Sequence, residues 1–411
     1  MSNVPKLRFK EFNGEWEEKK LGNLTTLMQS GLSRLLSDSD IGLPVIRSNN
    51  MVNGKLDVTD IKYWYKNDTQ GAKTENYFLK ENDLLVNFIN SLAQIGKVVK
   101  YENLLNRDVI FTTNIMRLRF KEDINSSFIF NFCHTKKYEN YIQTITKPAV
   151  NQASFTTKDF NKLFIYLPSK QEQEKIASFL ISADTKIEQL TKQEQLLQQY
   201  KKGVMQKIFN QEIRFKADDG SEFPNWEEKK LGEISDVRDG THDSPKYHDI
   251  GYPLITSKNL LTNGNIDFVN INLILEEDYI NVNKRSKVNI GDILFGMIGT
   301  IGNPVIVKQD GFAIKNVALI KEKEILLNNF LIHYLKSSFI EKQFYEQNTG
   351  GTQKFIALGI IRELIIILPC LTEQTKIANF LSSIDKKIEL AAKELNSTKE
   401  FKKALLQQMF V

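Results

Sequence analysis

The chain is poor in the residues that most often announce chemistry. Its two cysteines, Cys133 and Cys370, are far apart and show no CxxC spacing, so neither a disulfide framework nor a zinc site is expected. The four histidines, His134, His242, His248 and His333, are scattered without an HExxH pattern and read as surface or core residues rather than metal ligands. No run of about 18 apolar residues occurs, which excludes a transmembrane helix. The opening MSNVPKLRFKEFNGEW is polar and lacks the apolar stretch of a signal peptide, so a cytoplasmic protein is expected. There is no GxxxxGK[ST] phosphate loop for ATP-driven chemistry. Gly296-Met-Ile-Gly299-Thr-Ile-Gly302 is spaced GxxGxxG rather than GxGxxG, no helix-forming run follows it, and it reads as a turn bounding a strand. Asn303-Pro304-Val305 is not the Asn/Asp-Pro-Pro-aromatic run that an amino-methyltransferase needs. A non-catalytic chain with no cofactor of its own is expected.

Neither sign of charge dominates. The 411 residues carry 55 Lys+Arg against 50 Asp+Glu, a net charge of +5. Residues 1–170 hold 24 basic and 18 acidic residues (24 − 18 = +6), whereas residues 211–370 hold 18 and 22 (18 − 22 = −4). Phosphate binding by the first segment is compatible with its bulk charge, and the second would need a locally basic face.

What the chain has is itself, twice. WEEKKLG occupies Trp16–Gly22 and recurs at Trp226–Gly232, and a repeat of this kind governs the whole fold. Arg8-Phe9-Lys10 returns as Arg214-Phe215-Lys216, Pro44-Val-Ile-Arg-Ser-Asn-Asn as Pro253-Leu-Ile-Thr-Ser-Lys-Asn, and Asn53-Gly54 as Asn263-Gly264. Asn82-Asp83-Leu84-Leu85 parallels Gly291-Asp292-Ile293-Leu294, and EQEKIASFL at 172–180 parallels EQTKIANFL at 373–381. Two mixed α/β or α+β domains are therefore predicted at 1–170 and 211–370, each followed by a long helix, at 171–210 and 371–411. Short apolar runs bounded by Gly, Asn and Asp, such as Leu84–Ile89, Lys97–Tyr101, Ile293–Ile298 and Pro304–Val307, read as strands. Aromatic residues at helical steps predict one helix over Phe128–Ile145 and one over Phe330–Phe344.

In the long helices, alternating steps of four and three run from Ile176 through Leu180, Ala183, Ile187 and Leu190 to Lys201 and Ile208. Adding 201 gives Ile377, Leu381, Ile384, Ile388, Ala391, Lys402 and Met409. This is a heptad seam, the pattern of a left-handed coiled coil. A parallel pairing would set Lys201 against Lys402, whereas an antiparallel one sets Lys201 opposite Ile384 and Lys402 opposite Ala183, past which the stems can snorkel. The prediction is an antiparallel pair, a rod of roughly 57 Å for about 38 residues, with a pseudo-twofold axis through it.

Polar loops recur at matching places. Arg47, Ser48, Asn49 and Asn50, like Thr256, Ser257, Lys258 and Asn259, follow apolar strands and carry groups that pair with base edges and phosphates. Asn87, Asn90, Ser91, Gln94 and Lys97 form a similar run in the first half. Lys147, Asn151, Gln152 and Ser154 lie before its long helix, and Gly350, Gly351, Thr352, Gln353 and Lys354 before the second. A shared scaffold with altered loops is how two recognition specificities would be built.

The repeated Leu-Pro followed by Gln-x-Lys-Ile-Ala-x-Phe-Leu, together with Gly240-Thr-His-Asp-Ser-Pro-Lys-Tyr and Ile255-Thr-Ser-Lys-Asn, resembles the specificity subunits of type I restriction–modification systems. The resemblance spans essentially the whole chain. It implies two target-recognition domains on double-stranded DNA, separated by the antiparallel helices, and a bipartite asymmetric site. It adds Thr241, His242, Ser244 and Lys246 to the DNA-contacting candidates, with Thr300 and Asn316, and Arg34 as a polar residue following Gly31, because Gly31-Leu-Ser-Arg34 departs from the second half's pattern. It further implies two methylation subunits, carrying adenine-N6 methylation and docking on Lys186, Glu188 and Lys192 and on Lys387, Glu389 and Lys393, and two motor-nuclease restriction subunits. S-adenosylmethionine, ATP and magnesium would belong to those partners. A subunit serving a fused restriction–methylation enzyme, or a coiled-coil scaffold binding only proteins, are the alternatives.

Overall fold

The computed structural model describes residues 3–150, 152–347 and 355–411. The chain forms two compact units, residues 1–191 with 394–411 and residues 192–393. Each is a mixed α/β unit, and each builds the same three sheets.

In the first unit, Thr25–Ser30, Ile115–Phe120, Leu84–Asn87 and Val98–Lys100 form a four-stranded antiparallel sheet in that order. A second sheet places Gly42–Ile46 between Ile110–Phe111, which is parallel to it, and Lys62–Tyr65, which is antiparallel. In the second unit the order Asp236–Asp239, Val317–Lys321, Ile293–Gly296, Gly302–Ile306 repeats the first sheet. Tyr252–Thr256 between Asn272–Ile274 and the parallel Ala313–Lys315 repeats the second. Alternate residues of Leu84–Val86 and of Ile293–Phe295 fall into different buried clusters, because strand neighbours point to opposite faces.

The duplicated WEEKKLG has a structural purpose. Its Glu17–Lys20 pairs antiparallel with Phe164–Leu167, in register Glu17 to Leu167, and Glu227–Lys230 pairs with Ile365–Leu368, Glu227 to Leu368. Those partner strands lead directly into the long helices, Lys170–Phe209 and Leu371–Gln408. The repeated entrance is the strand that clamps the base of each helix.

The Glu-Gln pair opening each helix completes the clamp. Arg8 donates to both carboxylate oxygens of Glu172 at 2.7 Å, and Arg214 to Glu373 at 3.2 and 2.7 Å. Gln173 donates to Pro168 O and accepts from Asn125 N. Gln374 donates to Pro369 O and Ile325 O and accepts from Leu327 N. All four side chains of the two pairs are buried, so the hydrogen bonds are what make their burial tolerable.

Within each unit the two helices run antiparallel. In the first, Ile176, Ala177 and Leu180 share a core with Leu405, Leu406 and Met409. In the second, Met205, Ile208 and Phe209 share one with Ile377, Leu381 and Ile384. The lysines of the seam do not simply snorkel past apolar neighbours. Lys402 Nζ lies 2.5 Å from Asp184 and Lys201 Nζ 2.5 Å from Asp385, the residue next to each expected neighbour. Paired charge replaces the snorkelling expected from the heptads.

The predicted helices over Phe128–Ile145 and Phe330–Phe344 are each two helices. Ser126–Phe132 is followed by Lys136–Ile145, and Asn328–Leu335 by Ser338–Gln347. Thr135 causes the first break, since its hydroxyl accepts from Tyr138 N and caps a new helix that begins after a gap of three residues. Aromatic spacing continues across the break because both short helices face the same core.

Candidate nucleic-acid interface

The loop after each central strand is built alike. Ser48–Asn50 and Ser257–Asn259 are single 3-10 turns. Asn50 Oδ1 accepts from Arg47 N at 2.9 Å while its amide donates to Asp57 O and Asp60 O. Asn259 Oδ1 accepts from Thr256 N at 2.9 Å while its amide donates to Asn270 O and Asp267 O. The expectation that Asn50 and Asn259 face bases is corrected here: both are buried, and their amides are consumed in shaping the turn. Ser257 is also buried, donating to Asn316 O and accepting from Met297 N. What each turn presents outward is its middle residue, Asn49 in one unit and Lys258 in the other.

Two arginines expected on DNA are held inside the first unit. Arg34 forks onto Asp68 at 2.9 and 2.7 Å. Its guanidinium holds the Asp68 carboxyl well below the usual carboxylate range. Asp68 also accepts from Trp64 Nε1 and Ala72 N, so the pair braces the loop. Arg47 donates to the carboxylate and the carbonyl of Asp60 at 2.8 and 2.7 Å. Arg34, Arg47, Ser48 and Asn49 nevertheless line one concavity of about 380 Å³ with Thr112, Thr113 and Asn114. Asn87 is corrected as well: it is fully buried, in the position that glycine holds as Gly296 in the second unit, and cannot reach a base edge.

A second group in the first unit is assembled by a small sheet. Lys147–Pro148 pairs with Ala153–Ser154, which pairs with Ile89–Asn90. This brings Lys147, Ser154 and Asn90 onto adjacent strands, with exposed Gln152 in the connecting turn and Ser91, Gln94 and Lys97 in the loop beyond Asn90. Asn90 Oδ1 accepts from Ser91 N, which turns the chain there. Asn151, Gly350, Gly351, Thr352, Gln353 and Lys354 lie outside the described residues.

In the second unit the loop following Gly240 holds Thr241, His242, Ser244 and Lys246, close to the turn carrying Asn316. Gly240 is required for this approach: a Cβ there would stand 2.3 Å from Ile314 O, and one on Gly31 would stand 2.0 Å from Phe111 O. Gly31 thus has the same role as Gly240, although the residues after it differ. Lys315 Nζ donates to Ser244 Oγ at 2.6 Å. His242 meets Asn316 Oδ1 and Asp239 Oδ2 at 2.9 and 2.8 Å, and these partners, Asn316 first, raise its pKa above the ordinary histidine value against the opposing effect of burial. Arg285 joins the same Asp239 carboxylate. Thr300 is exposed on the loop after Ile293–Gly296.

Sequence reasoning missed Arg285, Lys315 and Asp239. Arg285 sits on helix Glu276–Ser286, where the first unit has only a 3-10 turn, Thr74–Tyr77, so the repeat gave no signal for it. Arg285 is held on Asp239 and Lys315 donates to Ser244, whereas Lys246 and Lys258 are exposed.

On the helices, Lys186, Glu188, Lys192, Lys387, Glu389 and Lys393 are all exposed. Lys186 pairs with Glu394 and Glu188 with Lys55, each at 2.9 Å. Among the described residues no group of three or more His, Cys, Asp or Glu stands together as a metal site, and no helix is long and apolar enough to cross a membrane.

A family model described as the type I restriction modification DNA specificity domain matches residues 13–198 and again 224–400. The type I restriction enzyme MjaVIII specificity subunit of Methanocaldococcus jannaschii is 25% identical over 97% of this chain and 94% of its own length. The EcoKI specificity subunit of Escherichia coli is 23% identical over 86% and 78%. A crystal structure of a type I restriction–modification S subunit from M. genitalium aligns with a TM-score of 0.62 at 16% identity over 99% of both chains. A structure from work on complex assembly and conformational transition of the type I R-M system gives 0.54 at 16% identity, over 96% of this chain and 97% of that one.

Proposed function

Because this chain belongs to the family of type I restriction–modification DNA specificity subunits, we propose that each of its two units reads one part of a bipartite, non-palindromic DNA site. The chain is the sequence-specificity component and works without catalysis of its own. Two methylation subunits dock on the exposed flanks of the long helices and methylate adenine N6, and two motor-nuclease subunits join them for restriction. S-adenosylmethionine, ATP and magnesium act in those partners.

The observation that carries this reading is one scaffold built twice with different residues at the same exposed positions. The middle of the reading turn is Asn49 in one unit and Lys258 in the other, while the asparagines that shape it, Asn50 and Asn259, are the same. Fixed shape with altered contact residues is what two independent readers need.

The test is a domain exchange. Replacing residues 20–160 by those of a relative, and sequencing the methylome of cells that express the hybrid with its partners, should change one part of the recognised site and leave the other intact. An exchange that alters both parts refutes independent reading. A protein-only scaffold would instead give no sequence preference at all.

A further inference from the structure

His242 makes hydrogen bonds through both ring nitrogens to atoms that accept. Nε2 stands 2.8 Å from Asp239 Oδ2 and Nδ1 stands 2.9 Å from Asn316 Oδ1. An imidazole donates to two acceptors only as imidazolium; a neutral ring has one donor and one acceptor nitrogen. Once neutral, the ring can keep its Nε2–H on the Asp239 carboxylate only if Nδ1 meets a donor. Asn316 can provide one by turning its amide over, which swaps Oδ1 for Nδ2 without moving the backbone.

That backbone is well fixed. Asn316 has φ +55°, its N–H donates to Thr241 O at 3.2 Å, and its carbonyl accepts from Ser257 Oγ at 3.0 Å. Only the amide is free to turn, and Nδ2 donates to no other group among the described residues. The half of the amide facing away from His242 is therefore –NH₂ beside an imidazolium and C=O beside a neutral ring. The first differs from the second as a reader of base edges. A donor suits guanine N7 and O6 or thymine O4, whereas an acceptor suits the amino groups of adenine and cytosine.

We infer that His242 is a positioning residue that sets the hydrogen-bonding sense of Asn316, and with it the base preferred at one position read by the second unit. The inference rests on the proposed DNA-reading role of that unit. The first unit lacks the device, because Ser30 and Ser33 stand where the second has Asp239 and His242 around its glycine.

The charged groups around the ring come from four elements. Asp239 ends strand Asp236–Asp239; Arg285, from helix Glu276–Ser286, holds the same carboxylate; Asp243 lies on the histidine's own loop; and Lys315, from strand Ala313–Lys315, is engaged by Ser244. Asp239 favours the imidazolium and Arg285 opposes it. Losing the ring proton as pH rises should thus turn the amide.

The test uses the full chain assembled with its methylation subunits and a double-stranded DNA library randomised across the site. Bound DNA is sequenced after selection at about pH 6 and about pH 8.5, on either side of the range in which histidine titrates. In the unmodified assembly one position of the second part should move from G or T towards A or C by about tenfold. H242Q should lose this pH dependence. N316D, an acceptor in both states that also tolerates the left-handed backbone, should prefer A or C throughout. Base preferences that do not change with pH in the unmodified assembly, or that change equally in H242Q, overturn the inference. Absence of any sequence preference in the unmodified assembly overturns the DNA-reading premise and the inference with it.

Discussion

At the scale of single residues, burial decides what a polar side chain can do. His333 lies on Asn328–Leu335 with its side chain 4% exposed, its Nε2 3.2 Å from Ser382 Oγ and its Nδ1 3.7 Å from Asp385. Burial, helped by Lys201 and Lys336 and only partly opposed by Asp385, lowers its pKa to about 3. The unfolded chain takes up the proton near the ordinary value of 6.5 while the folded one refuses it. The contribution of His333 to stability is thus complete above about pH 6.5 and is lost as pH falls towards 3, on the order of a few kcal/mol across that window. H333N, which installs the residue that the first unit carries as Asn131, should flatten the acid limb of the second unit's stability, read by hydrogen exchange in denaturant titrations at several pH values. An unchanged acid limb would show that other groups dominate. The same principle separates readers from builders in the loops. Arg47, Asn50, Asn87 and Asn259 have the side chains of DNA-contacting residues, and sequence alone could not tell that Asp60, two backbone turns and a packed core claim them. Their competitors lie elsewhere in the chain, and a local pattern carries no trace of them.

At the scale of elements, the long helices were the most legible part of the chain, because a heptad seam is written in consecutive residues and needs no knowledge of the fold. The duplicated strands were nearly as legible, since each motif appeared twice. The short helices were not, because the break at Thr135 depends on one hydroxyl reaching Tyr138 N. The pairing partners of the seam lysines also escaped notice. Lys402 is 17% exposed and Asp184 41%, so the pair is only partly desolvated. Removing the carboxylate with D184A should destabilise the first unit by about 1–2 kcal/mol, a figure reduced from that of a fully buried pair for solvent screening. Replacing both members, K402L with D184A, should recover most of the loss, because an apolar seam position no longer strands a charge. Chemical denaturation of the two single variants and the double variant measures this. Additive losses in the double variant would mean that the pair contributes nothing as a pair.

At the scale of the whole molecule, both compact units change over inside the helices, after Thr191 and after Lys393. Four residues inserted after Leu190 and four after Ala391 leave the seam contacts internal to each unit in register. Each helix gains about 5–6 Å, close to two base-pair steps. If helix length sets the spacing of the two readings, the unread gap should widen by one or two base pairs while both half-sequences persist, as methylome sequencing would report. A functional paired insertion with the original gap would assign the spacing to something else.

Helix Lys170–Phe209 is anchored by its ends. Ile176, Ala177 and Leu180 sit in one core and Met205, Ile208 and Phe209 in another, but between Leu190 and Met205 no residue is buried, and Gly203 weakens the last turns of that stretch. Ordinary helices fray from their tips inward. This one should breathe from the middle, with amide protons between about 192 and 203 exchanging faster than those near either end. Uniform protection along all forty residues would mean that the helix opens as one cooperative piece. Fast exchange at its centre would instead make a single α-helix a member of two separate folding communities, each of which can let go without the other.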